Sequence, residues 1–280
     1  MKYCFIVQYY GEFPIWFPLF LKSCEHNKGI DWLFFVDHEY TEHKPHNVKF
    51  HLQSPTEFQK LCKKKFGHEV ELMCYKGRKG KTLGYFKLCD YRPMYGFLFE
   101  EYIKDYDYWG WCDIDMIFGN LIDYVKKQSS EFECMSFASE PYPLPYGPCT
   151  LIKNNVKMNM LFQKSKDIDK LLTTQRHFHF DEDWTDNVHS IGHVMREENI
   201  RCLRESVGND DGKNTGRGKR FGVKKNWRLN WDSGKLYWRK QEIMFFHLGQ
   251  TKQLVNQEFD FSNVKEHNNI WFSWRELEFK

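Results

Sequence analysis

The sequence predicts an α/β domain built on a mostly parallel central sheet, Rossmann-like and flanked by helices. Short strand-like segments at residues 3–7, 31–36 and 48–52 combine with helix-length segments in a strand–helix–strand rhythm. No internal repeat and no linker-like stretch divides the chain, so all of residues 1–280 are expected in a single domain. A chain of 280 residues is also long enough to bury a substantial core.

Residues 3–7 read as a buried first strand, followed by the loop Gln8-Tyr9-Tyr10-Gly11. A helix over 14–26 follows, with Pro14 or Pro18 in its first turn. Residues 31–36 form a second strand that stops at Asp37, and Val48 to Leu52 a third. Ser54-Pro55-Thr56-Glu57 opens a helix, with a capping serine and an acid in the first turn. Residues 75–84 form a glycine- and lysine-rich loop, and a helix from Tyr85 to Glu101 follows despite Pro93. Tyr106 to Cys112 is a strand that runs into Asp113-Ile114-Asp115. Residues 132–138 read as a strand, and Pro141 to Pro148 as a proline-rich loop. Helices are expected over Asp167 to Leu172 and, with one apolar face, Thr185 to Ile200. Residues 206–220, rich in glycine and charge, read as a mobile loop. A hairpin turning at Asp232-Ser233-Gly234 and a last core strand, Glu242 to Leu248, complete the reading.

Net charge is +3, from 41 basic and 38 acidic residues, which is too balanced to indicate a nucleic-acid partner. Basic runs at Lys63-Lys64-Lys65 and from Lys76 to Lys81 suit a solvated face, a diphosphate or a phosphate-rich membrane surface. The nine cysteines contain no Cys-x-x-Cys pair, which argues against a disulfide framework or a structural zinc site. The first residues turn polar too soon for a signal peptide, and no apolar run has membrane-spanning length. A cytoplasmic protein is expected, with peripheral contact at the inner face of the membrane as an extension. Aromatic residues make up 18% of the chain, and their flat faces suit stacking on sugars and bases as well as core packing.

The strongest chemical signal is Trp109-Gly110-Trp111-Cys112-Asp113-Ile114-Asp115. In extended geometry the two acids face the same way, so both carboxylates reach one divalent cation. Acids at the carboxyl end of such a strand lie where α/β sheets bind ligands, and hard oxygen donors suit Mn²⁺ or Mg²⁺.

This segment resembles the Asp-x-Asp motif of GT-A fold glycosyltransferases. More narrowly, the chain resembles a bacterial family of polysaccharide glycosyltransferases. The resemblance rests on Val7 to Pro14, Phe17 to Cys24, Lys87-Leu88-Cys89-Asp90-Tyr91-Arg92-Pro93 and the run from Trp109 to Asp115, and it is good over residues 1–125. It implies that residues 1–125 bind a nucleotide-diphosphate sugar donor and 126–280 a glycan or lipid-linked glycan acceptor. Asp113 and Asp115 would hold the metal, Tyr9 and Tyr10 would lie near the base, and Asp37 would contact base or ribose. Lys87, Asp90 and Arg92 would approach ribose, phosphate or donor sugar. His247 would add a metal ligand and Lys252 a diphosphate contact, although the glycogenin-like pattern spaces His three residues before Gly, and here two separate His247 from Gly249. Asp181 or Glu182 would serve the acceptor hydroxyl, as general base in an inverting enzyme.

Two other readings stand beside this one. His177, His179, Asp181 and Asp183 alternate and would share one face if extended, which suits a metal-dependent hydrolase. The aromatic content alone would also suit a carbohydrate-binding protein without catalysis.

Overall fold

The computed structural model describes residues 1–70, 72, 75–76, 82–137, 145, 147–182, 188–204, 208–210, 228–238, 240–273 and 275–280. Strands are numbered along the chain. They are β1 (Tyr3–Tyr9), β2 (Ile30–Val36), β3 (Val48–Leu52), β4 (Tyr75–Lys76), β5 (Thr82–Gly84), β6 (Tyr108–Cys112), β7 (Met116–Phe118), β8 (Cys134–Ser136) and β9 (Cys149–Lys153). The second half adds β10 (Cys202–Arg204), β11 (Gly208–Asp210), β12 (Leu229–Asp232), β13 (Lys235–Trp238), β14 (Gln241–Ile243), β15 (Phe245–His247), β16 (Asn269–Phe272) and β17 (Leu277–Phe279).

A seven-stranded sheet in the order β10-β8-β9-β6-β1-β2-β3 forms the centre. Its pairings are parallel except those of β9, which runs antiparallel between β6 and β8. The sheet is therefore mixed, a refinement of the parallel expectation, and it crosses residue 125 through the β6–β9 pair. The architecture is α/β and compatible with a single Rossmann-like domain.

Both faces of this sheet are apolar, so helices cover both. One face presents Ile6, Phe35, Trp109 and Trp111, and packs against Phe58, Met94, Tyr95 and Val194. The other presents Phe5, Trp32, Phe34 and Tyr108, and packs against Phe20, Cys24, Leu121 and Val125. Helix α1 (Phe17–Glu25) has Pro18 in its first turn, where a missing N–H costs nothing. Helix α2 (Pro55–Phe66) opens with a reciprocal Ser54–Glu57 capping box and ends at Gly67, whose φ of 77° favours glycine.

A third core lies on the far side of α1. There Trp16 and Leu19 meet Trp231, Leu236, Ile270 and Phe272 from a five-stranded antiparallel sheet, β14-β13-β12-β16-β17. The hairpin β12–β13 turns at Ser233 and Gly234, both with positive φ, as expected for a two-residue turn.

Several expectations need correction. The helix expected over Tyr85 to Glu101 is a series of short turns, Leu88–Tyr91, Arg92–Met94, Tyr95–Leu98 and Glu100–Ile103. Pro93 removes a backbone donor and clashes with the preceding turn, which breaks a continuous helix. The single strand expected over Glu242 to Leu248 is two, β14 and β15, belonging to different sheets. Part of the expected 75–84 loop is the ribbon β4–β5, and residues 208–210 of the expected mobile loop pair with β15. The remainder of 206–220 lies outside the described residues, as do most of the proline-rich loop and the start of the helix expected from Thr185. The helix there is described over Ile191–Glu197. No sequence reading anticipated β9, β16 or β17.

Gly110 occupies the centre of β6, where a Cβ would stand 2.0 Å from the Thr150 carbonyl oxygen. The obstacle is backbone, which cannot rotate away. Gly110→Ala is expected to destabilise the fold by about 2–4 kcal/mol through strain in a packed core. Urea denaturation measures this, and a loss below about 0.5 kcal/mol would show that the two strands separate easily.

Candidate metal centre

The carboxyl ends of β1, β2 and β6 lie side by side in the sheet. At the end of β1, Tyr9 stacks on Phe13 with ring centres 5.4 Å apart, and its hydroxyl donates to the Glu12 carbonyl. At the end of β2, Asp37 accepts the Gly11 amide at 3.0 Å, which ties the two strand ends together. Gly11 has a φ of 103°, a conformation that favours glycine. Tyr10 points the other way, buried in the core, where its hydroxyl hydrogen-bonds Gln8 at 3.1 Å. Of the two tyrosines, only Tyr9 faces the strand ends beside Lys252 and Asp115, whose charges act on its hydroxyl.

Asp113 and Asp115 follow β6. The Asp113 amide donates to the Pro148 carbonyl, and the Asp115 carbonyl accepts the Leu248 amide at 2.8 Å. This second bond continues the antiparallel pairing of β7 with β15, in which His247 lies opposite Met116. His247 Nε2 consequently stands 3.3 Å from Asp115 Oδ1 and 3.9 Å from Asp113 Oδ2. One ligand atom from each of Asp113, Asp115 and His247 lies within 4.8 Å of the others. Donors around one small divalent ion stand no more than about 4.4 Å apart, since each bond is about 2.0–2.2 Å. Shifts of a few tenths of an ångström would bring all three onto one ion. Two carboxylates and an imidazole are a donor set that could hold a divalent cation.

The unusual His-to-Lys spacing is accommodated by a change of backbone. Leu248 leaves the strand in helical geometry, Gly249 has a φ of 47°, and a short 3₁₀ turn spans Gly249–Leu254. The strand rule that one residue flips a side chain ends at His247. The turn brings Lys252 Nζ to 2.7 Å from Asp115 Oδ2. Asp115 thus presents one oxygen to His247 and the other to Lys252. Burial pushes its carboxyl pKa up, but His247 and Lys252 outweigh burial and hold it well below the usual carboxylate range.

Behind the acids, Arg92 donates to Asp113 Oδ1 through one terminal nitrogen. Its other terminal nitrogen donates to Asp181 Oδ2 at 2.9 Å and to the Gly147 carbonyl at 2.8 Å. The Trp111 indole donates to the same carbonyl. Glu182 sits against Gly147, where an added Cβ would lie 2.2 Å from Glu182 Oε1. Asp181 is only 2% exposed. Burial, with the charges of Glu182 and Asp90, pushes its carboxyl up against the pull of Arg92. In the sequence the one signal at Gly147 is its place in the proline-rich loop.

Lys87 and Asp90 do not line this site. Both are 1% exposed and form an ion pair of 3.0 Å. Lys87 also donates to the carbonyls of Leu171 and Arg176, and Asp90 accepts the amides of Phe178 and Phe180. Two amides two residues apart converge on one carboxylate because His179, between them, has a φ of 60°. That left-handed residue also breaks the extended geometry assumed for His177, His179, Asp181 and Asp183. His177 and His179 lie 4.0 Å apart ring to ring, but Asp181 turns to Arg92, and Asp183 lies outside the described residues. Among the described residues, Asp113, Asp115 and His247 are the one group of three or more such side chains close enough to hold an ion.

A model described as a family of unknown function, DUF6625, matches residues 5–273. No curated protein matches the chain.

The buried bracing of Lys87 has a measurable consequence. Lys87→Met leaves Asp90 without its ion-pair partner in the core, and is expected to cost about 3–5 kcal/mol of stability. Chemical denaturation checks this. A variant as stable as the wild type but altered in nucleotide affinity would return Lys87 to a ligand-binding role.

Proposed function

Since the chain belongs to this family of unknown function, its activity has to be argued from its site, and we propose a metal-dependent glycosyltransferase of GT-A fold. It moves a sugar from a nucleotide-diphosphate sugar to a glycan or lipid-linked glycan in surface polysaccharide synthesis. The observation that carries this reading is the convergence of Asp113, Asp115, His247 and Lys252 at the carboxyl ends of parallel strands. The resemblance of the segment Trp109 to Asp115 to the Asp-x-Asp motif adds to it.

Asp113, Asp115 and His247 would hold Mn²⁺ or Mg²⁺, which when bound supplies Lewis-acid stabilisation of the leaving diphosphate. Three protein ligands leave positions for phosphate oxygens. Lys252, with 44% of its side chain exposed, presents an ammonium beside this place and would meet the negative charge that develops on the leaving group. Tyr9 and Asp37 border the same strand ends, where the base and ribose would lie. On the acceptor side, Asp181 is buried against Arg92, whereas the Glu182 side chain is 25% exposed. Glu182 is thus the better placed of the two to meet an acceptor hydroxyl. In this reading the partners are a sugar donor and a glycan acceptor, and no nucleic acid is among them. No described helix is long and apolar enough to cross a membrane, and in this reading any contact with the inner face of the membrane is peripheral.

Calorimetry with a panel of nucleotide-diphosphate sugars, with and without Mn²⁺, tests the reading. Donor binding should require the metal. Asp115→Asn should weaken metal-dependent binding by about 100-fold or more without unfolding the chain, and His247→Ala by about 10–100-fold, the scale for lost ligands and their supports. Donor affinity indifferent to Mn²⁺ and to both substitutions would overturn the proposal. Slow hydrolysis of one donor in the panel would identify the sugar.

A further inference from the structure

We propose that Arg92 is a positioning residue that couples cation binding at Asp113 to the order of residues 176–182 on the acceptor side. This rests on the cation-site reading above and adds to it a link between the two halves of the site.

Arg92 is poorly placed to meet a ligand. Its side chain is 15% exposed, and its two terminal nitrogens already serve three acceptors. Those acceptors come from three parts of the chain. Asp113 follows β6, Gly147 precedes β9, and Asp181 closes the segment braced by Lys87 and Asp90. The planar guanidinium fork is suited to this, because it holds several oxygens in fixed directions at once.

The two oxygens of Asp113 are divided. Oδ1 accepts from Arg92, and Oδ2 faces His247 Nε2 at 3.9 Å. Asp113 Oδ2 is the oxygen that a divalent cation would find, and charge drawn from the carboxylate there would weaken its hold on Arg92. The guanidinium then leans more strongly on its other carboxylate, Asp181. Little water reaches Asp181, so a change in this ion pair is weakly screened. Firmer attachment of Asp181 steadies the adjoining Glu182, whose carboxylate packs against Gly147. Gly147 is itself fixed to β6 by the Trp111 indole, at 2.8 Å. The coupling is reciprocal, so a ligand that orders the 176–182 segment would also change cation affinity.

Hydrogen exchange of the full chain, read by mass spectrometry on peptides within 176–182, tests the link. Saturating Mn²⁺ should slow exchange there by about threefold or more in the wild type, a modest shift in a local opening equilibrium. Arg92→Lys keeps the charge near Asp113 but loses the fork. It should bind Mn²⁺ by calorimetry within about threefold of the wild type and lose the slowing. Asp181→Asn, which leaves every proposed metal ligand intact, should do the same, and it decides alone if Arg92→Lys fails to fold. Slowing that persists in either folded variant overturns the proposal. So does a wild type that binds Mn²⁺ without a change in this segment. A wild type that binds no Mn²⁺ overturns the cation-site reading as well, which separates the two failures.

Discussion

The antiparallel pairing of β7 with β15 is the contact on which the candidate site depends. It sets His247 opposite Met116, one residue beyond Asp115, and the Leu248 amide then closes on the Asp115 carbonyl. Without this ribbon, His247 and Lys252 have no reason to lie near the acids. Its residues are also shared between cores. Met116, Phe118 and Phe245 face the core around α1 and the central sheet, whereas Ile117 and Phe246 face the core of the C-terminal sheet. Each alternation along the ribbon therefore buries a side chain, and a slip of one residue would send every one of them to the wrong core. The register that packs the two cores is the register that brings Asp113, Asp115 and His247 together.

How much of this could be read from the sequence follows from the range of the interactions. Apolar strands with local boundaries were readable. Val48 to Leu52 matches β3, Asp37 lies at the end of β2, and the capping box at Ser54 and Glu57 is present. The acid pair was readable because it sits next to its own strand. The meeting of His247 with Asp115 was expected from resemblance, but the spacing argued against it. A one-residue offset turns a side chain to the opposite face only along a continuous strand, and by Gly249 the backbone has left strand geometry. Strand β9 escaped because Cys149 to Lys153 is a short apolar run that follows a proline-rich stretch, and its partners are far away in sequence. The break between β14 and β15 escaped because Ile243 to Phe246 stays apolar across the passage from one sheet to the other, and apolarity alone does not mark a change of partner.

Polar groups behind the acids obey a different logic from the apolar cores. Lys87, Asp90, Arg92 and Asp181 come from two short segments, and all but Arg92 are almost fully buried. Ion pairs in such surroundings gain little net stability, because desolvation offsets attraction. Their value lies in direction. Asp90 gathers the amides of Phe178 and Phe180, which fixes the turn at His179. Arg92 then holds the end of that turn against the loop at Gly147 and against Asp113. Apolar packing alone would bury these segments without defining which carboxylate oxygen faces which neighbour.

That distinction explains why residues of one sequence stretch divide into two roles. Lys87 and Asp90 lie three residues apart on one helical turn, face each other, and close on themselves. Arg92, two residues further on, projects elsewhere and reaches the acids after β6. Pro93 lacks a backbone donor, and the chain continues as the 3₁₀ turn Arg92–Met94 instead of one regular helix. A run of charged residues that reads as one ligand-binding patch is thus split by helical geometry. The first pair shapes the loop from within, and the arginine carries that shape to Asp113, at the edge of the candidate metal centre. Asp113 is then held from behind by Arg92 and faces His247 in front, so its orientation is set before any ligand arrives.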